Sequence, residues 1–124
     1  MNHLIETTSM NPRQWDQFVE ENYPPVGAFM QTWAWGEFQK KLGRNVSRYS
    51  ITNGKKTIAI FTLVELKLQF GFKYGYIPRG PVMLKNTDPR KVVLIFDAIK
   101  KWSLKKFPHY IFLRLEPPIS FSNE

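Results

Sequence analysis

The sequence predicts a mixed α/β domain in the order (β)ααβββαβ, in which antiparallel hairpins are followed by a crossover helix and a last strand. Three observations predict it. Asn11-Pro12 and Asp88-Pro89 each precede apolar residues at helical spacing, the signature of an N-cap with proline at the first helical position. Asn53-Gly54 separates two runs rich in β-branched and aromatic residues, which is a strong short hairpin signal. A further run of that kind, Tyr110 to Leu115, comes after the last helical segment.

Taken in order, a short strand is expected around Leu4 to Glu6. The first helix starts at Asn11-Pro12 and carries Trp15, Phe18 and Val19 on one face. It stops before Tyr23-Pro24-Pro25, because a residue preceding proline resists the α conformation. That proline pair and Gly27 mark a tight connector. A second helix is expected from about Thr32 to Leu42, with Trp35, Phe38 and Leu42 sharing a face and Gly43 as a left-handed cap.

Two strands follow, Val46 to Ile51 and Thr57 to Lys67, joined by Thr52-Asn53-Gly54-Lys55. A third, Lys73 to Ile77, ends at Pro78-Arg79-Gly80-Pro81. The helix opened by Asp88 carries Val92, Ile95, Phe96, Ile99 and Trp102 as an apolar stripe. Lys100, Lys101, Lys105 and Lys106 crowd its last turns, which suits the negative end of the helix dipole. The final strand leads into Glu116-Pro117-Pro118, and the chain ends soon after, at Glu124. A single domain over 1–124, incomplete at its C-terminal side, is therefore expected.

Composition narrows the chemistry. The 124 residues fit one core, and the 43% hydrophobic share is enough to fill it. With no cysteine, disulfides, thiolate catalysis and Cys-based metal sites are excluded. The two histidines, His3 and His109, lie at opposite ends of the chain, so no zinc site is expected. The net charge of +8 favours anionic partners: nucleic acid, nucleotide-linked substrates or an acidic membrane surface. Met1 to Ser9 lacks the pattern of a signal peptide, and the longest apolar stretch, Ile58 to Val64, is too short to cross a bilayer. The expected location is cytoplasmic, with peripheral contact to the membrane surface through charge.

Three segments could carry chemistry. In Tyr74-Gly75-Tyr76-Ile77-Pro78-Arg79-Gly80-Pro81-Val82 an aromatic strand leads into a cation and a glycine, at the strand end where α/β sheets bind ligands. Arg79 could hold a phosphate or carboxylate through paired hydrogen bonds. A simple turn with a solvated arginine is the blander account. In Gln31 to Lys40, Trp33 and Trp35 cannot face the same way on a helix, so one belongs to the core and the other to a surface or cleft. At the last strand's end, alternation puts Arg114 and Glu116 on one face, where they could pair. Glu116 could equally serve as a general base for an attacking amine.

No P-loop or nucleophile elbow is present. The connector Arg79-Gly80-Pro81-Val82-Met83-Leu84-Lys85 includes a proline without an N–H, which disfavours a coenzyme A pyrophosphate loop.

Phe29-Met30-Gln31-Thr32-Trp33-Ala34-Trp35-Gly36, Tyr76-Ile77-Pro78-Arg79-Gly80-Pro81-Val82 and Leu113-Arg114-Leu115-Glu116-Pro117 together resemble the amino-terminal part of the FemAB family. They occur in the family's order, and the resemblance covers roughly Trp15 to Pro118. Members of that family are non-ribosomal aminoacyltransferases of peptidoglycan biosynthesis. The resemblance implies a GNAT-like fold and a two-domain enzyme, of which this chain supplies the first domain and lacks the second. It implies transfer of an amino acid from aminoacyl-tRNA, as co-substrate, to the stem peptide of a peptidoglycan precursor, either UDP-linked or lipid-linked. No other cofactor and no metal are implied.

Carried over by position, Gln39 or Lys40 falls where members place a lysine on the precursor's phosphates. Gln39 aligns by spacing but lacks the charge. Trp35, Tyr76, Arg79 and Gly80 fall along the precursor cleft. Glu116 stands near the acceptor amine, where aspartate is familiar. Two other readings compete: a basic non-catalytic module that binds RNA or anionic lipid, and a GNAT-type acyl-CoA acetyltransferase.

Overall fold

A computed structural model of the chain describes residues 3–23 and 28–116. Its elements are β1 (His3–Thr7), α1 (Pro12–Asn22), a short 3-10 turn (Ala28–Gln31), α2 (Trp33–Lys41), β2 (Asn45–Asn53), β3 (Lys56–Lys67), β4 (Lys73–Ile77), β5 (Val82–Met83), α3 (Pro89–Lys106) and β6 (Tyr110–Leu115). The strands form one sheet in the order β1-β2-β3-β4-β6, with β5 paired to β3. All pairings are antiparallel except β4 with β6, which are parallel and joined through α3. The predicted mixed sheet with a crossover helix is the observed fold. The Pro24-Pro25-Gly27 connector, Pro117 and Pro118 lie outside the described residues.

Local chemistry sets the boundaries. The Asn11 side chain accepts from the Gln14 N–H at 2.8 Å, and the Gln14 side chain accepts from the Asn11 N–H at 3.0 Å, a reciprocal box that starts α1. Asp88 opens α3 by accepting from the Arg90 N–H at 2.8 Å. The β2–β3 hairpin turns on Gly54-Lys55, and Gly54 holds φ 65, the left-handed region such a two-residue turn needs. Gly43 closes α2 at φ 88, as its place in the sequence predicts.

Period-two alternation along β3 divides the core. Ala59, Phe61 and Leu63 join Tyr49, Ile51, Ile77, Ile95 and Ile99 on the face covered by α3. Ile60 joins Trp15, Val19, Tyr23 and Val82 on the face covered by α1. Trp102 lies edge-on to Tyr49, with ring centroids 4.6 Å apart, and completes the α3 side.

Two expectations change. Phe38 and Leu42 do not share a buried face with Trp35: each is 55% exposed, and α2 buries Trp35, Gly36 and Gln39. The cause is Arg48 of β2, itself buried beneath the helix. Its Nη2 donates to the Trp33 carbonyl at 2.8 Å and to Glu37 Oε2 at 3.0 Å, and its guanidinium lies 3.6 Å from the centre of a Trp33 ring. A Cβ added to Gly36 would stand 2.5 Å from Arg48 Nη2, so the helix approaches the sheet through its glycine. The second change is β5, a two-residue strand inside the segment read as a connector. It is too short to show alternation in the sequence.

Candidate functional site

The site forms where β4 ends. Ile77 faces the α3 side of the sheet, so its neighbour Tyr76 faces the other. Register places Arg114 of β6 opposite Tyr76, on the same face. One step further along β4 and β6, Tyr74 and Phe112 stack, with centroids 4.5 Å apart. The result is a shelf of aromatic and charged side chains over the β4–β6 half of the sheet.

The Tyr76 hydroxyl donates to Glu116 Oε1 at 2.5 Å, and Arg114 Nη2 lies 3.1 Å from Glu116 Oε2. The Arg114 guanidinium also sits 5.3 Å from the Tyr76 ring centre. Each Glu116 oxygen thus has one strong donor. A carboxylate offers about four acceptor positions, so further donors can still be received. Burial pushes the Tyr76 phenol up to about 12, and its hydrogen bond to Glu116 adds to this, while Arg114 and Arg79 act the other way. Tyr76 is therefore a protonated donor at neutral pH.

Tyr23, at the end of α1, borders the same place. Burial raises its phenol pKa; Arg79 works against that rise and Glu116 adds to it, so all three lie within electrostatic reach. Arg79 is exposed and holds φ 55 between buried Pro78 and Gly80. The turn is gripped from beneath by Gln31, which is fully buried. Its Nε2 donates to the Pro78 carbonyl, and its Oε1 accepts from the Thr62 N–H at 3.0 Å. Trp15 Nε1 donates to the Gln31 carbonyl at 2.8 Å and fixes the plug from α1. A Cβ on Gly80 would lie 3.0 Å from the Gln31 amide, so the turn and the plug fit closely.

The fold thus brings Tyr76, Arg79, Gly80 and Glu116 to one strand end. Trp35, Gln39 and Lys40 sit on α2, which packs on β2, two strands away in the sheet order. Gln39 is buried and its Oε1 accepts from Arg44, whereas Lys40 is exposed and lies 3.2 Å from Glu37. Trp35 is buried. Gln31 and Tyr23 are members of the site that sequence reasoning did not single out. Gln31 carries no distinguishing pattern, and Tyr23 reads only as a residue before proline.

An apolar groove of about 540 Å³ lies on the other face, between α3 and β6, lined by Phe96, Leu104, Phe107, Ile111 and Leu113 among others. Asp97, Lys100 and Ser103 also line it. Among the described residues no group of three or more metal-ligating side chains is present, and no helix is long and apolar enough to cross a membrane.

The fold is shared with several solved structures. The FemX crystal structure superposes with a TM-score of 0.68 at 19% identity, covering 92% of this chain and 27% of that one. A possible acetyltransferase from Clostridium difficile 630 gives 0.56 at 15% identity, covering 97% of this chain and 82% of that one. A GNAT family acetyltransferase from Staphylococcus aureus subsp. aureus USA300_TCH1516 gives 0.56 at 9% identity, covering 100% and 95%. These likenesses establish a GNAT-like fold. The chain spans little more than a quarter of the FemX chain. No curated protein matches the sequence. The sequence matches the FemAB family over residues 10–124, and the chain belongs to that family.

Proposed function

We propose that the chain is the N-terminal domain of a tRNA-dependent aminoacyltransferase that adds an amino acid to the stem peptide of a peptidoglycan precursor. The observation that carries this reading is Glu116, held by Tyr76 and Arg114 at the mouth of two parallel strands beside Arg79. Membership of the FemAB family supports a transferase reading.

The acceptor amine attacks the carbonyl carbon of the ester that joins the amino acid to tRNA. An N–C bond forms, the ester C–O bond breaks, and the tRNA hydroxyl leaves. Glu116 orients the amine and accepts its proton, which is returned to the departing oxygen. Such a transfer needs chiefly positioning and a proton acceptor. Arg79 binds a phosphate or carboxylate of the precursor. On α2, Lys40 rather than the buried Gln39 reaches the precursor's phosphates, and Trp35 braces that helix. The second wall of the cleft comes from a further domain, in keeping with the share of FemX that the chain spans.

The alternative acyl-CoA chemistry finds less support. The α3 N-terminus, where a coenzyme pyrophosphate would bind, is already capped by the Asp88 carboxylate. A negative charge there repels a pyrophosphate. The test is an aminoacyl-transfer assay on the chain extended through a second domain of the same type. Arg79→Ala is expected to lower transfer about tenfold or more, and Glu116→Gln about a hundredfold. Unchanged kinetics for both variants would sink the proposal.

A further inference from the structure

Glu65 pairs with Gly75, one step along β4 from Tyr76, and its carboxylate gathers the segments that lead to the Lys67–Lys73 end of the sheet. Asn45, at the start of β2, donates to Glu65 Oε2 at 3.0 Å. Lys73, at the start of β4, lies 3.7 Å from the same carboxylate, and His109, just before β6, lies 3.5 Å away. Register agrees: Asn45 pairs with Glu65, Lys67 with Lys73, and Lys73 with Tyr110. Three connections therefore project beyond this one end: from α2 to β2, from β3 to β4, and from α3 to β6. The C-terminal turns of α2 and α3 point there too.

The middle connection is apolar where a loop tip is ordinarily polar. The Leu68 N–H donates to the Phe72 carbonyl at 2.7 Å and closes the loop, leaving Phe70 at its apex. Phe70 is 93% exposed, and Leu68 and Phe72 are exposed beside it. Phe70 also holds φ 64, a region that disfavours bulky residues. Leu42, at the end of α2, is a fourth exposed apolar side chain at this end.

Cations adjoin these residues in the chain: Lys41 and Arg44 on either side of Leu42, and Lys67 and Lys73 flanking the loop. Nearby carboxylates are engaged. Glu65 is held by the contacts above, and Glu37 is paired with Arg48 and Lys40. An apolar protrusion flanked by basic side chains matches the physics of a membrane interface. The aromatic and aliphatic groups enter the headgroup–acyl boundary while the cations meet lipid phosphates. Nucleic acid would account for the lysines but would have no use for Leu42 and Leu68.

We propose that this end of the sheet is a peripheral membrane-docking surface, which inserts Leu68, Phe70 and Phe72 into an anionic bilayer. The active face at Tyr76 and Glu116 then stands away from the lipid, at the other end of β4 and β6. The surface lies apart from Tyr76 and Glu116, and its test reads vesicle binding rather than the proposed reaction.

The chain has no cysteine, so Phe70→Cys accepts a single environment-sensitive fluorophore, with Lys55→Cys in the opposite hairpin turn as the control. The probes are vesicles of phosphatidylcholine with or without phosphatidylglycerol, and bulk tRNA. The label at 70 is expected to brighten, shift to the blue and be quenched by spin-labelled acyl chains only with anionic vesicles. The label at 55 stays unchanged. In flotation, Phe70→Ser should lower partitioning of the unlabelled chain about tenfold or more, and Lys67→Gln about fivefold at low salt. Unaltered circular dichroism shows that these surface variants remain folded. The proposal is overturned if the chain fails to float with anionic vesicles, if Phe70→Ser floats as well as the parent, or if the label at 70 responds to tRNA alone.

Discussion

The side-chain amide of Gln31 takes the place of a backbone peptide beside Thr62 in the sheet. β4 pairs with β3 only from Val64 to Lys67, and β5 pairs with it only at Ala59 and Ile60. Between them the Thr62 N–H has no strand partner. Gln31 Oε1 accepts from it at 3.0 Å, while Nε2 satisfies the Pro78 carbonyl of the departing chain. Gln31→Ala would strand a buried donor and a buried acceptor together, for a loss of about 3 kcal/mol by chemical denaturation. Gln31→Glu preserves the shape but sets a carboxylate oxygen against the Pro78 carbonyl. Its destabilisation should shrink as pH falls and the carboxyl regains a proton to donate. A Gln31→Ala variant as stable as the parent would show that the plug contributes nothing.

Gly36 and Arg48 are expected to be coupled. Glycine inside a helix ordinarily costs about 1 kcal/mol relative to alanine, so Gly36→Ala should stabilise α2 if helix propensity decided the matter. The alanine Cβ would instead stand 2.5 Å from a guanidinium nitrogen already fixed on Trp33 and Glu37. We expect Gly36→Ala to destabilise by about 2 kcal/mol in the parent and to become neutral or stabilising when Arg48→Ala is also present. Urea unfolding of both single variants and the double variant measures this. Additive effects would refute the coupling.

What the sequence makes legible follows the range of the interactions. β4 and β6 agree end to end with the predicted runs, because alternation and turn residues are local signals. The pairing of Arg114 with Glu116 is readable from alternation alone. The bond from Tyr76 to Glu116 is not, since it depends on the parallel register of β4 and β6. Gln31 is less visible still: its two partners lie 31 and 47 residues away. The buried face of α2 is misread for a related reason. Counting apolar residues on a helical wheel cannot foresee an arginine arriving beneath a glycine.

Thr62 offers a substitution whose sign runs against intuition. Its Oγ1 is buried and has no hydrogen-bond partner among the described residues. Thr62→Val keeps the shape, the β-branched preference for a strand and the N–H that Gln31 accepts from, and removes only the unpaired hydroxyl. Stability should rise by about 1 kcal/mol. A fall in the denaturation midpoint would mean that the hydroxyl is satisfied after all.

Glu65 should govern the acid limb of the stability profile. Burial favours its neutral form, but Asn45, Tyr110, His109 and Lys73 together outweigh burial and hold its carboxyl below the ordinary 4.5. A depressed folded value means that the unfolded chain takes up the proton first. The stabilisation is therefore complete above about pH 4.5 and is lost as pH falls through the folded value. Glu65→Gln should cost about 2 kcal/mol at neutral pH, where charge-assisted bonds are lost, and flatten the decline below it. Parallel acid limbs in parent and variant would assign the decline to other carboxylates.

The alkaline limb tests the Tyr76–Glu116 bond. The Tyr76 phenol is raised from 10.0 to about 12, first by burial and then by Glu116 as acceptor and nearby charge. The unfolded chain loses this proton first, so the stabilisation is present below pH ~10 and is lost as pH rises towards the folded value. Glu116→Gln removes the charge while leaving an oxygen that can still accept the hydroxyl proton. Ultraviolet titration of phenolate, with Tyr76→Phe subtracted to isolate this residue from Tyr23 and Tyr110, should then find the Tyr76 transition moved back towards 10. The alkaline loss of stability should become shallower in step. If the transition stays near 12 in Glu116→Gln, burial alone raises the phenol, and the bond that defines the site has no electrostatic weight.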